Sequence, residues 1–231
     1  MERGTRALKE RILGLLKSPD FGEDALKIAR LPLMKGINSL FPLLYHGDGV
    51  IRRRAVLALG SLVSELAQRD MEEARNVIRR LMWNLNEESG GMGWGSPEAM
   101  AEILARHEGL AREYAHILVS YTQEGGNYLE NEILQQGLLW GIGRVFRRWP
   151  DLIRKAEPHL VPYLASADPA VRGLAAGLLG ELQEVRVRPG VEGLLRDEAA
   201  FEILMAESPQ VRLVQDEARE ALRRLDESKV R

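Results

Sequence analysis

The chain has 231 residues, 45% of them apolar, with 32 lysines and arginines against 34 aspartates and glutamates and a formal net charge of −2. That length can bury a sizeable core, while the balanced charge lacks the basic excess from which nucleic-acid binders draw most of their affinity. The chain has no cysteine, which excludes disulfides, thiolate metal sites, iron–sulfur ligation and cysteine nucleophiles, and leads to the expectation of a cytoplasmic protein.

The opening stretch MERGTRALKERILGLLKSPD carries charges inside a helical pattern, so a helix is expected there rather than a signal peptide. No uncharged apolar run approaches the ~18 residues that a membrane span requires. Leu8, Ile12, Leu15 and Leu16 form a first apolar stripe at helical spacing. Ala55, Leu59, Leu62, Val63 and Leu66 form a second, and Val77, Ile78, Leu81, Met82 and Leu85 a third. Leu134, Leu138, Ile142, Val145, Phe146 and Trp149 form the longest. Each stripe covers about 100° of a helix, which suits packing on one or two neighbours. Breakers separate the stripes: Ser18-Pro19-Asp20, Gly47-Asp48-Gly49, Gly125-Gly126-Asn127, Asp168-Pro169, Pro189-Gly190 and Ser208-Pro209. Short helices joined by short turns predict helical hairpins.

One segment interrupts this rhythm. Residues 84–100 read NLNEESGGMGWGSPEAM. Ser96 is expected to cap a new helix, with Pro97 at its first position and Glu98 in its first turn. Glycine-rich backbone before a helix can bind anions, but Glu87, Glu88 and Glu98 argue against a phosphate.

A repeat lies under the pattern. Asp48, Arg52, Ala55, Leu59, Gly60 and Leu62 match Asp168, Arg172, Ala175, Leu179, Gly180 and Leu182 at a constant offset of 120 residues. Three periods of about 40 residues give that offset. A weaker copy runs from Ile133 through Trp140 and Gly141 and lacks the Asp and Arg. The two strong copies resemble the second helix of HEAT repeats, in particular the short bacterial PBS-lyase HEAT-like kind. The preceding segments Leu40–Tyr45 and His159–Leu164 resemble the first helix with its internal proline. The resemblance covers residues 32–68 and 150–183 well and 71–148 loosely. It implies an all-α, right-handed α-solenoid of about five HEAT-like helical hairpins in one domain spanning residues 1–231. Physically, one hairpin cannot bury its stripe alone, so hairpins stack. Glycine inside a helix costs roughly 1 kcal/mol against alanine, so Gly60 and Gly180 are expected to be needed where neighbouring helices approach closely.

The tail differs. Residues 201–205 and 210–214 alternate partly and are expected to form a small β-hairpin. Asp216 would then cap a helix running to Leu225, within a C-terminal cap over residues 189–231.

Motifs for chemistry are sparse. Glu113 and His116 share a helix face, but a di-iron site needs two such pairs and further glutamates. His107-Glu108 is a single pair, and His46 and His159 have no ligand spacing around them. No Gly-x-Ser-x-Gly elbow, P-loop or dinucleotide loop is present. Two enzymatic or nucleic-acid alternatives remain: a HEAT-type DNA-repair glycosylase, with Trp140 stacking on a base beside Arg144, Arg147 and Arg148 and with Arg52, Arg53 and Arg54 on phosphates, or a bilin-lyase-like protein. The leading expectation is a non-catalytic, monomeric interaction or scaffold module. It would bind a protein or peptide on a concave face, without metal or cofactor. Its expected site gathers Trp83, Trp94 and Trp140 with Tyr121 and Tyr128 around a pocket edged by Glu87, Glu88 and Arg144.

Overall fold

A computed structural model describes residues 2–86, 93–204 and 209–228. None of its helices is long and apolar enough to cross a membrane. Packing groups the chain into two compact units, residues 1–114 and residues 115–203 with 209–231.

In the first unit, α1 (Glu2–Lys17), α2 (Phe21–Ala29) and α3 (Leu33–Leu40) lead into a 3-10 turn, Phe41–Tyr45. The long α4 (Gly49–Arg69) follows, then α5 (Met71–Leu85), α6 (Ser96–Arg106) and the start of α7 (Glu108–Ser120). The predicted stripes supply the core: Ile12 and Leu16 of α1, Leu59, Leu62 and Val63 of α4, and Val77, Ile78 and Leu81 of α5 are all buried.

In the second unit, the end of α7 is followed by α8 (Glu132–Arg148) and by two single-turn helices, α9 (Pro150–Ile153) and α10 (Glu157–Leu160). A 3-10 turn, Val161–Ala165, precedes α11 (Pro169–Leu182) and the short α12 (Arg188–Glu192). A two-stranded sheet of β1 (Ala200–Leu204) and β2 (Pro209–Leu213) then leads into α13 (Val214–Ser228). The predicted hairpin therefore forms, each strand beginning one residue earlier than expected. The last helix begins at Val214 rather than at the expected cap Asp216. Val214 N–H donates to Ala199 O at 3.1 Å, so strand pairing persists up to the residue that starts the helix.

The repeated motif builds the same turn twice. Asp48 caps α4, its Oδ1 accepting from Val50 N–H at 2.8 Å and Ile51 N–H at 3.2 Å. Asp168 caps α11, accepting from Val171 N–H at 2.8 Å. Arg52, one turn into α4, reaches back and donates to His46 O at 3.1 Å, and Arg172 donates to Ser166 O at 2.7 Å. In each copy the residue whose carbonyl is held also accepts the aspartate's own N–H: His46 Nδ1 at 3.0 Å and Ser166 Oγ at 3.2 Å. A cap of this kind contributes about 1 kcal/mol, and a bond from a charged donor roughly 1.5–3 kcal/mol.

The glycines of the motif also act alike. A Cβ at position 60 would stand 2.5 Å from Glu102 Cγ of α6. A Cβ at position 180 would stand 2.5 Å from Ala221 Cα of α13. A Cβ at position 173 would likewise clash with the Phe201 ring of β1. So α11 offers its glycine edge to the strand and to α13, whose buried face of Val214, Ala218, Ala221 and Leu225 closes this end of the unit.

Gly180→Ala is expected to lower the unfolding free energy by about 2 kcal/mol or more in urea titrations, because the clash is with backbone rather than a movable tip. Gly14→Ala in α1, where nothing lies within 4 Å, is expected to raise it by up to ~1 kcal/mol. Equal effects at the two positions would contradict the close-packing role.

Candidate functional site

The eight predicted site residues fall in both units. Glu87 and Glu88, with most of the glycine-rich segment, lie outside the described residues. In the first unit, Trp83 stands in the last turn of α5 and is 74% exposed. Trp94 is half-buried, and its indole N–H is enclosed with no partner among the described residues. Its neighbours explain this. A Cβ on Gly93 would stand 2.7 Å from Asn84 O, and one on Gly95 would stand 2.8 Å from Leu44 O. The backbone on both sides of Trp94 therefore lies against the protein itself. Gly95, at φ +72°, is the residue that precedes α6 as its cap. The expected cap, Ser96, is instead the first helical residue, buried with its hydroxyl unpartnered among the described residues. Only glycine takes this left-handed angle at little cost, so the helix starts one residue earlier than the Ser-Pro-Glu signal suggests.

In the second unit, Trp140 and Arg144 lie one turn apart on α8, both half-buried. Tyr121 is 0% exposed, and burial pushes its hydroxyl up to about 12. It is a core residue rather than a surface one. Tyr128, 36% exposed, lines a cavity.

The other candidate groups serve the fold. Glu113 is held by Arg75 through two bonds of 2.8 and 2.7 Å, which keeps its carboxyl below the usual range. No cluster of three or more metal-ligating side chains occurs among the described residues. Arg54 donates to Leu16 O and Ser18 O, Arg147 pairs with Glu181 at 2.7 Å, and Arg148 lies over the Trp149 ring.

The cavity at Tyr128 has a volume of about 670 Å³ and lies wholly within the second unit. One wall is the chain between α7 and α8. It leaves the helix in a chain of turns: Gly126 N–H donates to Gln123 O at 2.8 Å, Asn127 N–H to Ser120 O at 3.2 Å, and Leu129 N–H to Tyr121 O at 3.1 Å. Asn131 then caps α8, accepting from Ile133 and Leu134 N–H. Buried Gln135 looks back from α8 and donates to Leu129 O at 2.8 Å and to the Tyr128 hydroxyl oxygen at 3.2 Å. That bond fixes the phenol. The opposite wall is the 3-10 turn carrying Pro162 and Tyr163 and ending at Ser166, the residue that Arg172 holds. The rings of Tyr128 and Tyr163 meet at 6.4 Å between centroids, tilted by 39°.

Tyr163 on that wall is 4% exposed, and its hydroxyl oxygen is enclosed. Burial first, then neighbouring Tyr128 and Glu124, hold its pKa well above the ordinary phenol value. Glu124, Glu130 and Glu132 line the cavity and are exposed, and neither lysine nor arginine lines it. A half-exposed aromatic face beside carboxylates is suited to a cationic or amide-bearing ligand.

No known family model matches the sequence. An uncharacterised protein of Archaeoglobus fulgidus is 31% identical over 131 residues, which is 55% of this chain and 61% of that protein. The matched region is thus less than two thirds of the relative's length. A designed armadillo repeat protein, solved in complex with the peptide (KR)4, superposes with a TM-score of 0.52 at 19% identity, covering 93% of this chain and 98% of its own. An engineered protein superposes with a TM-score of 0.51 at 18% identity, covering 95% and 96%. The chain has an armadillo/HEAT-like repeat fold. At such identities the likeness extends to the fold alone.

Within this repeat fold, sequence reasoning missed Tyr163, Gln135 and the three glutamates. Two signals were available. No lysine or arginine occurs between Arg112 and Arg144, so the loop is acidic without local compensation. Tyr163 also stands where the first copy of the repeat has Leu43, a polar-tipped ring in an apolar slot.

Glu98 supplies a pH-dependent prediction for the first unit. One of its carboxylate oxygens is enclosed without a partner among the described residues, and burial raises its pKa despite Arg52 and Arg53 nearby. A raised folded-state pKa favours the protonated form, so this stability is present at low pH and lost as pH rises through the folded value. Glu98→Gln is expected to stabilise by about 1 kcal/mol at pH 7 and to have little effect below pH ~4. Urea titrations at both pH values check this; a destabilised variant at pH 7 would contradict it.

Proposed function

We propose that the chain is a non-catalytic interaction module that binds an extended peptide segment of a protein partner in the groove lined by Tyr128 and Tyr163. The observation that carries this reading is the half-exposed Tyr128 ring, held by buried Gln135 at the edge of a cavity lined by three exposed glutamates. The groove's ~670 Å³ lies in the range of ligand-binding clefts, roughly 300–1,000 Å³, and holds a few residues of an extended chain. From the designed armadillo repeat protein in complex with (KR)4 we carry over the ligand class alone, an extended peptide.

The test is a display selection of random linear peptides on the intact protein, followed by affinity measurement by fluorescence polarisation. The expected outcome is an enriched peptide family whose affinity falls at least tenfold with Tyr128→Ala, about 1.4 kcal/mol. No enrichment, or peptides indifferent to Tyr128→Ala, would overturn the reading.

A further inference from the structure

We infer that the groove of the second unit recognises an arginine side chain of its peptide partner, stacked on Tyr128 and neutralised by Glu124, Glu130 and Glu132. This rests on the peptide-binding reading above and specifies its chemistry.

Charge is the first argument. Three exposed glutamates line the cavity and no lysine or arginine does, His159 being the one other ionisable nitrogen side chain among the described lining residues. Elsewhere the described glutamates are mostly paired. Glu65, Glu72, Glu102, Glu108, Glu113 and Glu220 each hold an arginine. The groove gathers its carboxylates without supplying a cation, which is the pattern expected where the counter-charge arrives with a ligand.

The aromatic pair is the second argument. A guanidinium sandwiched between two rings needs a gap on the order of 7–8 Å, twice the contact distance. Tyr128 and Tyr163 are 6.4 Å apart and tilted, so they touch each other and leave no slot between them. The free surface is the outer face of Tyr128, 36% exposed, with its oxygen anchored by Gln135. A planar guanidinium stacks on such a face and keeps its five N–H groups in the ring's plane of approach, free to reach flanking carboxylates.

Anchoring adds to both. Buried Gln135 donates to the Tyr128 hydroxyl oxygen at 3.2 Å and to Leu129 O at 2.8 Å, so the ring is held in place before a ligand arrives. A guanidinium can stack on that ring while its donors reach a carboxylate; a lysine ammonium lacks the planar geometry to do both.

The experiment uses the full chain and four fluorescein-labelled peptides, (Gly-Arg)4, (Gly-Lys)4, (Gly-Gln)4 and (Gly-Glu)4, read by fluorescence polarisation. The expected order is arginine tighter than lysine, and arginine at least tenfold tighter than glutamine. The pair Glu124→Gln with Glu132→Gln is expected to weaken (Gly-Arg)4 at least tenfold and leave (Gly-Gln)4 unchanged. Circular dichroism of that variant should match wild type, since both side chains are exposed. A control pair at exposed Glu23 and Glu202 should leave (Gly-Arg)4 binding unchanged. Tyr128→Phe should retain binding and Tyr128→Ala lose it. The inference is overturned if glutamine or lysine peptides match arginine, or if the two glutamate pairs act equally, which would indicate attraction to the whole surface. Glutamine peptides that bind and respond to Tyr128→Ala would sink this inference and leave the peptide-binding reading standing. Failure of every peptide here and in the display selection would remove both.

Discussion

The second unit depends on one short-range interaction, the grip of Arg172 on the Ser166 carbonyl across the turn that Asp168 caps. Without it the 3-10 turn Val161–Ala165 would be free to pivot at its exit, even though Asp168 still meets an opening N–H of α11. With it, turn and helix form one rigid corner. Arg172 also pairs with Asp197 at 2.8 Å, tying that corner to the segment that leads into β1. The corner carries Tyr163, so the groove inherits its rigidity. The first unit repeats the arrangement with Asp48, Arg52 and His46, but there the turn carries Leu43 and contributes to a core instead.

What lies beyond each corner is set by a missing side chain. Gly60 admits Glu102 of α6, and Gly180 admits the backbone of α13. Hairpin stacking needs such approaches, because no hairpin can bury its own stripe. Glutamate in one copy and alanine in the other show that the notch specifies distance rather than partner. Glu102, 0% exposed and paired with Arg106, brings a charge into that contact and its own counter-charge with it.

These features were legible in the sequence because backbone geometry demands particular residues. An aspartate that caps, an arginine one turn later and a glycine where backbones meet have few substitutes, and the 120-residue echo exposes them. The C-terminal hairpin was legible from alternation. The site was not. Its walls come from residues 122–135 and 158–166, brought together by packing that no local period encodes. Aromatic residues off an apolar stripe also have two fates that spacing cannot separate. Trp83 is largely exposed, Tyr121 is enclosed, and Trp94 lies against its own unit with its N–H covered. The Ser-Pro-Glu signal was misread by one residue because the left-handed turn at Gly95 depends on its close approach to Leu44, a contact distant in sequence. The absence of lysine and arginine from Arg112 to Arg144 was visible, yet its meaning required knowing that the loop faces a cavity.

The central claim is that recognition resides in the rigid acidic groove of the second unit. Hydrogen–deuterium exchange with and without saturating (Gly-Arg)4 tests it most directly, because amide protection reports where a ligand settles without any substitution. The account predicts slowed exchange in residues 121–135 and 157–166, with residues 71–106 unchanged. Protection confined to residues 71–106, or none at saturation, would contradict it.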